Sequence, residues 1–264
     1  MKPRSLVFDI FGDYIWHRGG EVRLRGLTAL MACFDVPEPT VRVVVGRLRR
    51  DGWLTSRRDG RETIYALSSA SRELLAEGRD RIFQRDPAPW LGRWHMVIYS
   101  VPESERALRE QLRKKLAWLG FGPLSASVWI SPHDRTGAVV AAFADNRNIH
   151  LDVFESATRT QSANLDLANR AWDLEGLNVD YGRWLSSHQR RLSRYGDIEL
   201  CGPAALVERM RLINDYRHFP FRDPGLPPEL LPLHWLGRQA HDWFIEAHHL
   251  LAAPSEAAVD DLLR

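Results

Sequence analysis

The densest charge in this sequence lies between residues 42 and 61. That stretch holds seven arginines (Arg42, Arg47, Arg49, Arg50, Arg57, Arg58 and Arg61) against two acids, Asp51 and Asp59, a local surplus of +5. The whole chain of 264 residues carries only +2. Arginine presents a planar fork of donors that grips phosphate oxygens two at a time. A concentrated surplus of guanidinium groups therefore points to a phosphate-rich partner, and to a nucleic acid first. The bland alternative is a solvated helix face beside a charged turn. What the neighbouring residues build decides between the two.

They build a helix and a hairpin. Val41, Val44, Val45 and Leu48 recur at i, i+3, i+4 and i+7, one apolar stripe of a helix over 38–50. Arg42, Val43, Gly46, Arg47, Arg49 and Arg50 occupy its other faces. Asp51-Gly52 ends it, because glycine tolerates the left-handed cap conformation. Trp53–Thr55 and Thr63–Leu67 then read as two strands around a polar turn at Asp59-Gly60. Upstream, residues 4–17 read as one helix, and Arg18-Gly19-Gly20 breaks it. Glu21–Arg23 reads as a short strand able to pair with the hairpin, residues 24–34 as a second helix, and Asp35-Val36-Pro37 as a turn. Pro39 suits the first turn of the next helix. Helix, helix, turn, helix and hairpin in that order spell a winged helix-turn-helix over residues 1–68. With the 38–50 helix in a major groove, Thr40, Arg42, Val43 and Arg47 are expected nearest the base edges. Arg49, Arg50, Arg57, Arg58 and Arg61 are expected on phosphates. Gly46 costs about 1 kcal/mol against alanine in a helix, and would permit close approach either to DNA or to the second helix.

The rest of the chain needs further domains, since 264 residues exceed one such module. Residues 69–89 read as a connector helix and linker: a polar helix over 68–84, with Ser69 or Ser71 as cap and Leu74, Leu75 and Ile82 inward, then a boundary over Asp86–Pro89. Residues 90–160 order as strand 94–100, helix 102–119, strand 125–131, helix 135–144 and strand 149–156, which suggests a ferredoxin-like α+β sandwich. Residues 161–264 are mainly helical, with Leu165, Ala168, Trp172, Val179, Trp184, His188 and Leu192 on helical spacing. A proline-rich run, 219–235, interrupts them, and the end from Pro254 reads as a loose short helix. The expected fold class is thus α+β multidomain.

Composition excludes several functions. Cys33 and Cys201 are far apart and fit reduced, buried thiols in a cytoplasmic protein. No signal peptide and no membrane span is legible. No GxGxxG or P-loop pattern occurs, so no nucleotide cofactor is expected. His241, His248 and His249 lack the HExxH spacing of a zinc site, and Ser131, His133 and Asp134 are too close in sequence to converge as a triad. No catalytic or metal-binding residue is assigned. The ten tryptophans mostly suit cores.

The segments RSLVFDIFGDY, VRVVVGRLRRDGWL with the hairpin ending in Ile64-Tyr65, LGFGPLSASVWISP and YRHFPFRDPGLPPELLPLHWLG together resemble the PaaX family of bacterial transcriptional repressors. The resemblance spans nearly the whole chain. It implies a winged helix, a ferredoxin-like domain related to small CRISPR-associated endonucleases, and a helical C-terminal domain. It also implies a homodimer on double-stranded operator DNA, released by a small effector such as phenylacetyl-CoA in control of phenylacetate catabolism. The related endonucleases hold a metal through an aspartate at the end of the first strand. Here that strand ends Tyr99-Ser100-Val101, with no acid until Glu103, which counts against the rival reading of a metal-dependent nuclease. For a CoA thioester, Arg217, His218 and Arg222 could meet phosphates while Phe219 and Trp235 hold an acyl or adenine group. The plainer alternative is that Phe219, Pro220 and Trp235 pin the proline-rich loop to the last helix, with the arginines paired to Asp223 or Glu229.

Overall fold

The computed structural model describes residues 1–84, 89–197 and 202–264, with only the backbone for Arg190 and for residues 192–197. Residues 86–88 of the expected boundary over Asp86–Pro89, the side chain of Leu192, expected on helical spacing, and Cys201, expected to be a buried thiol, lie outside what the structure describes. In chain order the elements are α1 (Pro3–Ile10), β1 (Glu21–Arg23), α2 (Leu24–Ala32), α3 (Glu38–Arg50), β2 (Leu54–Asp59), β3 (Glu62–Leu67) and α4 (Ser69–Phe83). Then come β4 (Trp94–Ser100), α5 (Arg106–Trp118), β5 (Gly122–Pro123), β6 (Val128–Ser131), α6 (Thr136–Phe143) and β7 (His150–Ser156). The chain ends with α7 (Gln161–Ala171), α8 (Leu174–Asp197), α9 (Pro203–Tyr216), α10 (Gly237–Leu250) and α11 (Ala252–Leu263). The fold is mixed α+β with two small antiparallel sheets, ordered β1-β3-β2 and β5-β6-β4-β7.

Two compact units emerge. One comprises residues 1–84, 184–218 and 238–264; the other comprises 85–183 and 219–237. The division falls inside α8 and takes α9, α10 and α11 into the same unit as the N-terminal elements.

In the first unit α1 packs on α2, α3 and α9, and α11 packs on α2 and α9. The expected 4–17 helix is not uniform. After α1 it widens into a π-helical turn over Phe11–Ile15 and tightens to a 3-10 turn over Trp16–Arg18. All five residues from Phe11 to Ile15 are buried, so the chain is enclosed on every side here. The hairpin also departs from expectation. Strand β2 runs on through Arg57 and Arg58 to Asp59, which opposes Glu62. Only Gly60 and Arg61 make the turn, with Gly60 at φ 59°, a value glycine adopts without strain. The cap of α4 is Ser68, whose Oγ accepts from the Ser71 N–H at 3.3 Å, and Leu74 is exposed rather than inward. The C-terminal stretch is a full helix, α11, with Ser255, Ala258 and Val259 buried.

The second unit is built on the four-stranded sheet, with β4 central between β6 and β7. Side chains alternate across a strand. Val97 and Tyr99 accordingly meet Leu112 and Leu116 of α5 and Val139 of α6 on one face. Trp94 and Ile130 meet Ala168 and Ala171 of α7 and Leu226 and Leu230 of the proline-rich segment on the other. Val179, expected to face inward, is 48% exposed on α8.

Candidate nucleic-acid interface

Helix α3 starts behind Pro37 and carries Pro39 in its first turn, where a missing N–H costs nothing. Val41, Val45 and Leu48 are buried and fix its inner face, while Val44 is half-buried. The outer face has an exposed valine and an open glycine at its centre. Val43 is 69% exposed, and a Cβ added at Gly46 would meet nothing within 4 Å. Gly46 therefore makes no close approach to α2; the space it leaves is on the outside. Arg42, Arg47, Arg49 and Arg50 surround this apolar, low-relief strip, and Thr40 is half-buried at its start. Arg42 pairs with Glu38 at 2.6 Å, Arg47 lies 3.9 Å from Asp51, and Arg49 reaches Ser56 of β2 at 3.5 Å. Arg50 makes no ion pair among the described residues.

The hairpin splits its arginines. Strand alternation puts Arg58 on the same face of β2 as Ser56, the residue Arg49 touches, so Arg58 shares the α3 side. Arg57 leaves by the opposite face and pairs with Glu21 of β1 at 2.7 Å. The Arg57 hydrogen bond holds the Glu21 carboxyl below its ordinary range, and Glu21 in turn raises Arg57. Arg58 and Arg61 are exposed and make no ion pair among the described residues. Exposed pairs such as Arg42–Glu38 and Arg57–Glu21 are weak and salt-screened, so a phosphate can replace the carboxylate.

The segment that follows α1 carries a buried ionic network that periodicity did not reveal. Asp13, in the π-turn, and Arg209 of α9 are each only 5% exposed at the side chain, and Arg209 Nε lies 3.0 Å from Asp13 Oδ2. Those two atoms are close without hydrogen-bond alignment, so their coupling is Coulombic. His248 of α10 donates from Nε2 to Asp13 Oδ1 at 2.9 Å, and Arg79 of α4 donates to the Gly12 carbonyl. Arg209 also reaches Ser255 Oγ at 3.1 Å and stacks over Tyr14 at 5.2 Å. Four residues before Asp13, Asp9 of α1 accepts from Arg217 at 2.7 Å. Burial raises Asp13, but the His248 hydrogen bond and the charges of His248, Arg209 and Arg79 outweigh it, so its carboxyl stays below the ordinary range. For Asp9 burial wins over Arg217, and its pKa rises to about 6. Burial lowers His248 from its ordinary value, against the opposing hydrogen bond and charge of Asp13. The overlooked signal was two acids at i and i+4 inside an otherwise apolar helix: a buried charge needs a partner.

The residues considered for an effector fall in both units. Arg217 is engaged by Asp9, and His218 is exposed, both in the first unit. In the second unit Tyr181 of α8 gathers the others. Phe219 stacks on it at 4.3 Å between centroids, Trp235 meets it edge-on at 5.6 Å, and its hydroxyl donates to Asp223 at 2.8 Å. Arg222 pairs with Asp180 at 2.8 Å. These contacts pin the proline-rich loop to α8. The arginines find Asp9 and Asp180, not Asp223 or Glu229, because folding brings distant carboxylates nearer than sequence neighbours.

Strand β4 ends at Ser100, and the following Glu103 is exposed. His133 Nε2 lies 2.8 Å from the Gly225 carbonyl while Asp134 accepts from Thr136, so these two form no relay with Ser131. Among the described residues no three His, Cys, Asp or Glu side chains are placed to hold a metal, and no helix is long and apolar enough to cross a membrane.

Three family descriptions match successive parts of the chain: "PaaX-like protein" over residues 2–71, "PaaX protein central Cas2-like domain" over 87–168, and "PaaX-like protein C-terminal domain" over 172–261. The chain is 30% identical to the transcriptional repressor PaaX of Escherichia coli (strain K12), over 97% of this chain and 83% of that protein. It also shares its fold with the solved structure of the uncharacterized protein Rv0674 from Mycobacterium tuberculosis, with a TM-score of 0.66, 24% identity, and coverage of 98% of this chain and 97% of that one. The chain belongs to the PaaX family.

Proposed function

We propose that this chain is a transcriptional regulator, most simply a repressor, that binds operator DNA as a homodimer through a winged helix-turn-helix over residues 1–68. The observation that carries the proposal is the outer face of α3, where an exposed valine and an open glycine lie within a ring of arginines. A soluble surface gains nothing from Val43 and Gly46 there. A major groove does, because a low-relief helix can seat deeply and set Val43 against a thymine methyl. In this reading Arg47 and Arg42 address base edges from Thr40 onward. Arg49, Arg50, Arg58 and Arg61 hold phosphates on the α3 side, and Arg57 exchanges Glu21 for a phosphate on the other side of the hairpin. The name of the Escherichia coli relative, a transcriptional repressor, supports the same reading. The β-α-β-β-α-β order and the β5-β6-β4-β7 sheet support a ferredoxin-like central domain.

Fluorescence anisotropy on a cognate and a scrambled duplex tests it. Arg47→Ala should cost about 1–3 kcal/mol on the cognate duplex and little on the scrambled one. Arg58→Ala should weaken both alike and lower the salt slope by about 1. Equal losses for both variants on both duplexes would refute the division of labour. The effector proposed is a small molecule of the aryl-CoA thioester class, as in phenylacetate catabolism. Titrating acyl-CoAs should release the duplex and shift tryptophan emission; no change in either rejects that class.

A further inference from the structure

The second unit carries its own concentration of positive charge. Residues 106–115 hold Arg106, Arg109, Arg113, Lys114 and Lys115 against one acid, Glu110, a surplus of +4. With the +5 of residues 42–61 these two stretches reach +9 in a chain of net +2, so all remaining residues together are negative. This second stretch forms the body of α5, which turns Leu112 and Leu116 into the core. Its outward face presents Arg106, Arg113 and Lys114, all exposed. Arg113 lies 3.9 Å from Glu110, whereas Arg106 and Lys114 make no ion pair among the described residues. Arg109 is turned aside and caps the Val101 and Pro102 carbonyls.

The helix dipole favours the cations toward the C-terminal end of α5, but it does not explain Arg106, which follows the cap residue Glu105. The first turn of α5 has no acid, and Arg106 stands at the positive end of the helix dipole, where a carboxylate would be favoured. The outward face also has no large apolar side chain, only Ala107 and Ala117 between its cations, so it has nothing to insert into a lipid surface. Arg106 and Arg113 are seven residues apart, two turns and about 10.5 Å along the same side of the helix, so both can address one phosphate backbone. We infer that α5 is a second, sequence-independent contact for the DNA backbone, separate from the base-reading helix α3. Its ligand is the duplex phosphate, and its effect is to extend the footprint beyond the half-site and to steepen the salt dependence. The inference rests on the DNA-binding role proposed above.

The test uses the full chain with three exposed substitutions, Arg106→Gln, Arg113→Gln and Lys114→Gln, combined in one variant. A control variant with the same charge change carries Arg159→Gln, Arg170→Gln and Arg183→Gln, also exposed and in the second unit. The dissociation constant for a duplex with long flanks is measured across a salt series. Each lost phosphate contact lowers the slope of log K against log salt by about 0.9, so the α5 variant should lose about 2 to 3 and the control about none. Specific and scrambled duplexes should be affected alike. An unchanged slope in the α5 variant, or an equal drop in the control, overturns the inference while leaving the α3 proposal standing. Binding of the wild type to phosphatidylglycerol vesicles, lost in the α5 variant without a change of DNA slope, also overturns it. A wild type that retains no duplex at all removes both readings.

Discussion

Replacing Arg209 by methionine tests how the N-terminal helices are held. Methionine keeps most of the apolar stem and removes the guanidinium. Asp13, 5% exposed, would then lose the charge 3.0 Å away and keep the His248 N–H at 2.9 Å and the charge of Arg79. Ser255 loses little, since its hydroxyl still donates to the Ala252 carbonyl at 2.9 Å. Breaking a buried ion pair from one side costs about 3–5 kcal/mol, and the surviving His248 bond puts this case near the lower end, about 3 kcal/mol. A loss of that size should lower the melting temperature by roughly 6–12 °C. The assay is urea and thermal unfolding of the full chain followed by circular dichroism. Asp13→Asn and the double variant Asp13→Asn/Arg209→Met complete a cycle. The double variant should be less destabilised than the sum of the singles by at least about 1 kcal/mol, because the second substitution removes a charge already stranded. An Arg209→Met variant within about 0.5 kcal/mol of wild type, or strict additivity in the cycle, would refute the claim that this pair clamps α1. Acid should act in the same direction as the substitution. The folded pKa of Asp13 is depressed, so its contribution is present above the ordinary carboxylate range and is lost as pH falls through the folded value.

Two further outcomes follow from the same geometry. Asp9 has the opposite sign: with its folded pKa raised from 3.8 to about 6, its contribution is full at low pH and is lost as pH rises through about 6. Melts at pH 7 and pH 5 should show wild type gaining roughly 1 kcal/mol relative to Asp9→Asn on acidification; a constant difference contradicts the buried environment. Gly46→Ala should stabilise α3 by up to about 1 kcal/mol, because the added methyl meets nothing. The same variant should bind cognate DNA more weakly if the helix backbone seats in the groove, and unchanged affinity in anisotropy would deny that close approach.

Much of the N-terminal unit is written locally. The Val41, Val45 and Leu48 stripe and Asp51-Gly52 determined α3 and its end, because helix periodicity and cap chemistry act over a few residues. The apolar run of residues 94–100 likewise determined β4, and 149–156 contains β7, whereas the alternating stretch 125–131 is strand only from Val128. The positive charge of both basic segments is a property of composition alone. What only the tertiary structure decided is which charges are engaged. Alternation across β2 sends Arg57 to Glu21 and leaves Arg58 on the α3 side, a distinction that needs the strand to continue to Asp59. Arg217 and Arg209 look like free cations in sequence, yet they meet Asp9 and Asp13 some two hundred residues away. No short window contains such a partner. The pairing exists because burying an acid in the first helix is tolerable only where the closing helices bring it a countercharge.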